Sequence, residues 1–141
     1  MRIQDETTIH APAATVWALT SDIDHWPKLM PTVTAVQRLD GGALAVGSRA
    51  RVSQPRQRPR IWTVTEVLPE SRFVWEAPLG RAKMTATHHI SATDDGCRNI
   101  LAIDITGAGS GLIGRFVHHR VAKTLATENA CFKQSAESMC N

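Results

Sequence analysis

The stretch that most constrains this chain is its last part, Gly109 to Met139. Gly109-Ser110-Gly111 is a loop-to-helix signal, and from Arg115 onward the sequence contains neither proline nor glycine. At about 100° per residue, Val117, Val121, Leu125, Phe132, Ala136 and Met139 fall on one side of a helical wheel. His119, Ala126 and Lys133 fall on the other. Such a helix is amphipathic and, at about 1.5 Å per residue, about 45 Å long. Alone it would not be stable, so its apolar stripe needs a large cover. The alternating, strand-like sequence before it is the only candidate.

Length and composition agree with one domain spanning 1–141, without an internal repeat, low-complexity tract or linker. Hydrophobic residues make up 43% and charged residues 21%, ordinary for a globular chain with a real core. The net charge of +3 is too small an excess to imply nucleic acid as a partner. No apolar run of about eighteen residues exists, and Met1 to Glu6 lacks the apolar segment of a signal peptide, so no stable membrane insertion is expected. Cys97, Cys131 and Cys140 are an odd, widely spaced set that reads as reduced thiols, which points to the cytoplasm.

In chain order, Ile3 to His10 reads as a strand, and Ala11-Pro12 opens a short helix over Ala13 to Thr20. Ser21 and Asp22 are suited to cap a second short helix, which Pro27 and Pro31 interrupt. Strands follow over Val33 to Leu39, Val46 to Gln54, Arg60 to Leu68, Arg72 to Ala77, Arg81 to Thr93 and Cys97 to Thr106. Between them lie turn signals at Asp40-Gly41-Gly42, Pro55, Pro69-Glu70-Ser71, Pro78-Leu79-Gly80 and Asp94-Asp95-Gly96. The fold class is therefore α+β: a curved antiparallel sheet of six or seven strands around one long helix, with two short helices after the first strand. A bent sheet has a whole face to bury and the helix supplies only a stripe. The space left between them is expected to form an apolar cavity.

The opening strand, then Ala11-Pro12-Ala13-Ala14-Thr15-Val16-Trp17-Ala18-Leu19 and Asp22-Ile23-Asp24-His25-Trp26-Pro27, resembles the polyketide cyclase/dehydrase and lipid-transport proteins of the START-like (SRPBCC) superfamily. Trp62-Thr63-Val64-Thr65-Glu66-Val67 and Phe73-Val74-Trp75-Glu76 are similar to that family's middle strands. The likeness covers nearly the whole chain. It implies the helix-grip fold and a ligand pocket; it does not imply a reaction, since the superfamily holds carriers, aromatase/cyclases, hormone receptors and co-chaperone-like modules.

Strand alternation marks the face toward the cavity. Phe73 and Trp75 share one side, as do Met84, Ala86, His88 and Ile90, and Leu101, Ile103 and Ile105. Trp62 and Val64 are assigned with them, although both faces of their strand carry apolar residues. The expected ligand-binding set is Trp62, Val64, Phe73, Trp75, Met84, His88, Leu101, Ile103, Val117 and Val121, with plain core packing as the alternative for each. His88 and Glu128 are the candidate acid–base pair: His88 lies among apolar neighbours, and Glu128 interrupts the helix stripe, where desolvation would raise its pKa. His88-His89 point to opposite faces and His118-His119 diverge by about 100°, so no metal and no cofactor is expected. The glycines at 107, 109, 111 and 114 read as a flexible entrance to the helix, without the strand-to-helix context of a nucleotide fingerprint.

Arg49, Arg51, Arg56, Arg58 and Arg60 crowd one hairpin. They read first as a solvated edge that resists aggregation, and second as a site for an anionic ligand group, acidic partner or membrane surface. The leading functional expectation is binding or transport of a hydrophobic small molecule, lipid or polyketide-like. The alternative is a cyclase/dehydratase-type enzyme that uses acid–base groups in the cavity. A homodimer is compatible with either, and ligand identity is not written in the sequence.

Overall fold

The computed structural model describes residues 1–140. Strand β1 (Arg2–Ile9) leads to helix α1 (Ala13–Ser21), a 3-10 turn (Ile23–His25) and the single-turn helix α2 (Trp26–Leu29). Six strands follow: β2 (Ala35–Arg38), β3 (Arg49–Ser53), β4 (Arg60–Leu68), β5 (Arg72–Leu79), β6 (Ala82–Thr93) and β7 (Gly96–Gly107). Helix α3 (Ser110–Met139) ends the chain's regular structure. All strands join one antiparallel sheet in the order β1-β7-β6-β5-β4-β3-β2. This is the curved sheet gripping a long helix that the sequence led us to expect.

The structure departs from the expected elements at loops and prolines. The strand expected over Val46 to Gln54 is only β3, and Val46 sits in the loop before it, 66% exposed. That loop, residues 39–48, replaces the tight turn expected at Asp40-Gly41-Gly42; Arg49 donates its backbone N–H to Asp40 at 3.0 Å to close it. Pro27 does not interrupt a helix. It occupies the first turn of α2, where a missing N–H removes no helical bond. Likewise Pro78 stays in β5 opposite Lys83, and the chain reverses at Gly80, whose φ of 62° suits glycine. Gly111 and Gly114 lie inside α3 rather than in a loose entrance to it.

One irregularity explains the ambiguity of β4. Its register with β5 shifts between Val64, opposite Trp75, and Glu66, opposite Val74. The bulge at Thr65 bends the strand and switches which residues face in, from Trp62 and Val64 before it to Val67, opposite Phe73, after it. Simple alternation cannot survive that extra residue.

Helix α3 packs against β1 and β7 at one side of the sheet. Leu125, Phe132 and Ala136 of its stripe are buried, and so is Asn129. The Asn99 amide of β7 donates to Asn129 Oδ1 at 2.8 Å, and Asn129 Nδ2 donates to Asp5 of β1 at 2.7 Å. Lys133, expected on the solvent side, instead donates to the Thr8 carbonyl at 2.8 Å, and the His10 backbone N–H donates to Glu137 at 2.8 Å. These bonds all fall in the second half of α3 and tie it to β1, to the residue that follows β1 and to β7. Met139, expected in the stripe, is 61% exposed because the residues held to β1's end stop at Glu137. The first half of α3 is different. Val117 and Val121 are only half-buried, and Leu112 and Phe116 are exposed.

The two halves should therefore respond differently to truncation. Phe132→Ala removes a fully buried ring and should destabilise by about 3–5 kcal/mol in urea unfolding. Val117→Ala should cost about 1 kcal/mol or less. Equal losses would contradict this division of the helix.

Candidate ligand cavity

Where the first half of α3 stands away from the sheet, a cavity of ≈ 330 Å³ opens to solvent. Its position follows from connectivity. At one end of the sheet β3 passes into β4, β5 turns into β6, and β7 leaves for α3. The mouth lies at that end, bordered by Arg56, Gln57, Leu79 and Arg120. Its walls are β4, β5, β6 and β7 on one side and α3 on the other, through Val117, Val121, Thr124 and Leu125.

The inner wall is aromatic. Trp75 lies 5.4 Å from Trp62, and the Trp26 ring meets Trp75 edge-on at 5.4 Å between centroids. Trp26 is carried by α2 and fixed by its indole N–H, which donates to the Leu19 carbonyl at 3.2 Å. Phe132 stands edge-on to Trp26 at 6.5 Å and to His88 at 6.1 Å, so the deeper half of the sheet face is filled by side chains. The cavity is confined to the half nearer the mouth.

Two titratable groups border it. His88 packs among Trp26, Phe73 and Phe132, and its Nδ1 has no partner among the described residues. Burial lowers its pKa to about 4, so the imidazole is neutral at pH 7. Glu128 accepts a hydrogen bond from the Thr32 hydroxyl at 2.7 Å. Desolvation raises its pKa to about 7 against the opposing effect of that bond, so protonated and ionised forms coexist near neutrality. A carboxyl group in this condition both gives and takes protons at little cost. His89 lies on the other side of β6, near Arg2, Gln4 and Glu66, so it cannot join His88 at one site.

Of the ligand-binding set expected from the sequence, Trp62, Trp75, Met84, His88, Leu101, Ile103, Val117 and Val121 border the cavity, as does Glu128. Val64 and Phe73 do not. Both face inward, yet they are 2% and 0% exposed and belong to the closed core. Phe73 is roofed by Trp75 and His88, with ring centroids at 4.9 and 5.5 Å, and cannot reach the open space.

Comparison with known proteins fits this architecture. Residues 1–137 match the family described as polyketide cyclase / dehydrase and lipid transport. The chain belongs to that family. A 42-residue segment, 30% of the chain, is 45% identical to the granaticin polyketide synthase bifunctional cyclase/dehydratase of Streptomyces virginiae and covers 14% of that protein. The di-domain ARO/CYC StfQ of the steffimycin biosynthetic pathway superposes with a TM-score of 0.80 at 11% identity, over 99% of this chain and 51% of StfQ. A START superfamily protein from Mycobacterium smegmatis gives 0.78 at 15% identity, over 98% of each chain. At such identities the structural likeness shows the START-like fold and nothing finer.

Several cavity residues of this family member were missed by strand and helix patterns. Trp26 opens the single-turn helix α2, which is too short to show periodicity, and it stands out in the sequence only through the family resemblance of residues 22–27. Val33 lies in a linker. Arg56 and Arg60, expected as a solvated edge or as a site for an anionic group, border the mouth with Arg120, Arg56 exposed and Arg60 half-buried. None of these has a local pattern that announces the cavity.

The shifted carboxyl and imidazole set the pH response. Glu128 moves from an ordinary value of 4.5 to about 7 on folding, so the native state holds more protons in that interval and stability falls as pH rises through it. His88 moves from 6.5 to about 4, so its contribution is lost as pH falls through that window. Glu128→Gln should therefore gain stability relative to the parent protein as pH rises from 4.5 to about 7. Urea midpoints measured across that range check it, and a constant difference would contradict the assignment.

Proposed function

We propose that the protein binds or carries a hydrophobic small molecule, lipid or polyketide-like, between the sheet and the first half of α3. The observation that carries this reading is the open cavity of ≈ 330 Å³ walled by Trp26, Trp62 and Trp75. Its volume lies in the range of small-molecule sites, whose walls are largely apolar with a few directing polar groups. Removal of ligand apolar area from water supplies about 25 cal/mol per Å². The tryptophans give broad flat contacts to planar or chain-like ligands, and Glu128 and His88 are the polar groups that orient a carbonyl or hydroxyl. Among the described residues no helix is long and apolar enough to cross a membrane. The three free thiols suit a reducing, cytoplasmic setting.

A second reading is favoured by Glu128 in particular: an enzyme of the cyclase/dehydratase type. Aldol closure or water loss requires a proton taken from carbon and another delivered to oxygen. Glu128, with a pKa of about 7, is suited to take the first as a carboxylate and deliver the second as the acid, while neutral His88, too weak a base for either step, orients the oxygen. The family membership and the granaticin cyclase/dehydratase segment support this class without naming a substrate.

The binding reading is tested with N-phenyl-1-naphthylamine, a neutral dye that brightens in apolar surroundings. Saturable binding is expected, weakened about tenfold, or about 1.4 kcal/mol, by Ala86→Phe, which fills the cavity from β6. Absence of saturable binding would overturn it. For the enzymatic reading, Glu128→Gln should abolish cyclisation of a poly-β-keto thioester while ligand affinity stays within about threefold. Full turnover in the Glu128→Gln, His88→Gln double variant would remove that mechanism.

A further inference from the structure

The mouth of the cavity differs chemically from its interior. Arg56 and Arg60 approach it from the β3–β4 loop and the start of β4, and Arg120 from α3. Four arginines elsewhere are matched with carboxylates, Arg2 with Asp104, Arg38 with Asp40, Arg72 with Glu66 and Arg98 with Glu6, whereas others such as Arg49, Arg51 and Arg58 are not. Among the described residues, none of the three mouth arginines has a carboxylate within ion-pair distance. The chain segments that surround the opening, residues 54–59, 80–81 and 108–109, contain no acidic residue. A guanidinium cannot lose its proton, so three charges converge here without internal compensation.

One local feature sets Arg60 apart from a freely solvated arginine. Its Nε is shielded from solvent and has no hydrogen-bond partner among the described residues. Arg38 and Arg72 share that shielding, but they have carboxylates at 3.6 and 3.5 Å, respectively. A donor on a cation left without one costs stability unless something occupies the space in front of it. Arg56 has φ 62° as the third residue of the turn that the Gln57 N–H closes on the Gln54 carbonyl at 3.3 Å, and this turn brings it to the rim beside Gln57.

Resting on the binding reading above, we propose that the ligand is an amphipathic anion, whose apolar body occupies the tryptophan-walled interior and whose carboxylate or phosphate group is held by Arg56, Arg60 and Arg120 at the mouth. The spacing along α3 gives its scale. Arg120 and Glu128 border the same cavity eight residues apart, which is about 12 Å of helix. The ligand therefore presents its charge at one end and, about 12 Å inward, an uncharged oxygen toward Glu128 and Thr32. A second anionic group there would meet the Glu128 carboxyl, so the ligand carries its charge at one end only.

The test compares two dyes of one skeleton, anionic 1-anilinonaphthalene-8-sulfonate and neutral N-phenyl-1-naphthylamine, in the intact protein. The anion should bind about tenfold tighter or better, the effect of one or two charge-assisted hydrogen bonds. Decanoate and decyl phosphate should displace it while decanol does not, and the stronger of the two competitors identifies the head group. Arg56→Gln, Arg60→Gln and Arg120→Gln together should bring the two dyes to equal affinity. The three lysine variants should restore part of the preference, and Arg51→Gln on the outer face of β3 should leave it unchanged. Equal affinities in the parent protein, or a preference that survives in the triple glutamine variant, would overturn the anion site alone. Failure of both dyes to bind would instead overturn the cavity reading on which it rests. Circular dichroism of each variant separates lost recognition from lost folding.

Discussion

A seven-stranded sheet has one broad face to bury, and a single thirty-residue helix is the main element available to cover it. The helix is set over β1 and β7, and the polar bonds through Asn99, Asn129 and Asp5 fix it there. A buried amide satisfied by partners on two strands permits one lateral position and one rotation of the helix, because any other leaves a polar group unpaired. From that anchor the remaining geometry follows. The second half of α3 lies against the sheet, Phe132 reaches Trp26 and His88, and the deep half of the concave face is solid. The first half is left without a matching surface, and a cavity results.

The short helices determine how far that solid part extends. Helix α2 carries Trp26 across to Trp75 and Phe132, closing the inner end of the open space. The bulge at Thr65 bends β4, so that Trp62 lines the cavity while Val67 faces into the core beyond it. Neither feature stabilises the fold as much as the packing of α3. Together they give the cavity its aromatic wall.

Charge and polarity are distributed along the same axis. Inside, desolvation keeps His88 neutral and pushes the Glu128 carboxyl toward neutrality, so the interior tends to exclude formal charge. At the rim stand three arginines, Arg56 and Arg120 exposed and Arg60 half-buried, without a carboxylate partner among the described residues. A ligand apolar along its length and anionic at one end matches both regions at once. Carriage and catalysis are compatible with this gradient, since orientation of the ligand serves either.

Much of this was legible from residues alone. The amphipathic run from Val117 to Ala136 called for a sheet to cover it, and strand alternation placed Trp75, Met84, His88, Leu101 and Ile103 on the covered face. Glu128 stood out as an acid within an apolar stripe. Periodicity reports which side a residue faces, and it is a local property of the backbone. It does not report depth along a face. Val64 and Phe73 share the inward side with Trp62 and Trp75 but belong to the closed core, Phe73 beneath Trp75 and His88. Whether an inward residue meets a ligand or another side chain depends on segments distant in sequence. For the same reason Arg56 and Arg60 acquired their place at a cavity mouth only once folding brought Arg120 opposite them. The sequence by itself determined the layers and their inward faces; tertiary packing decided where those layers touch and where they part.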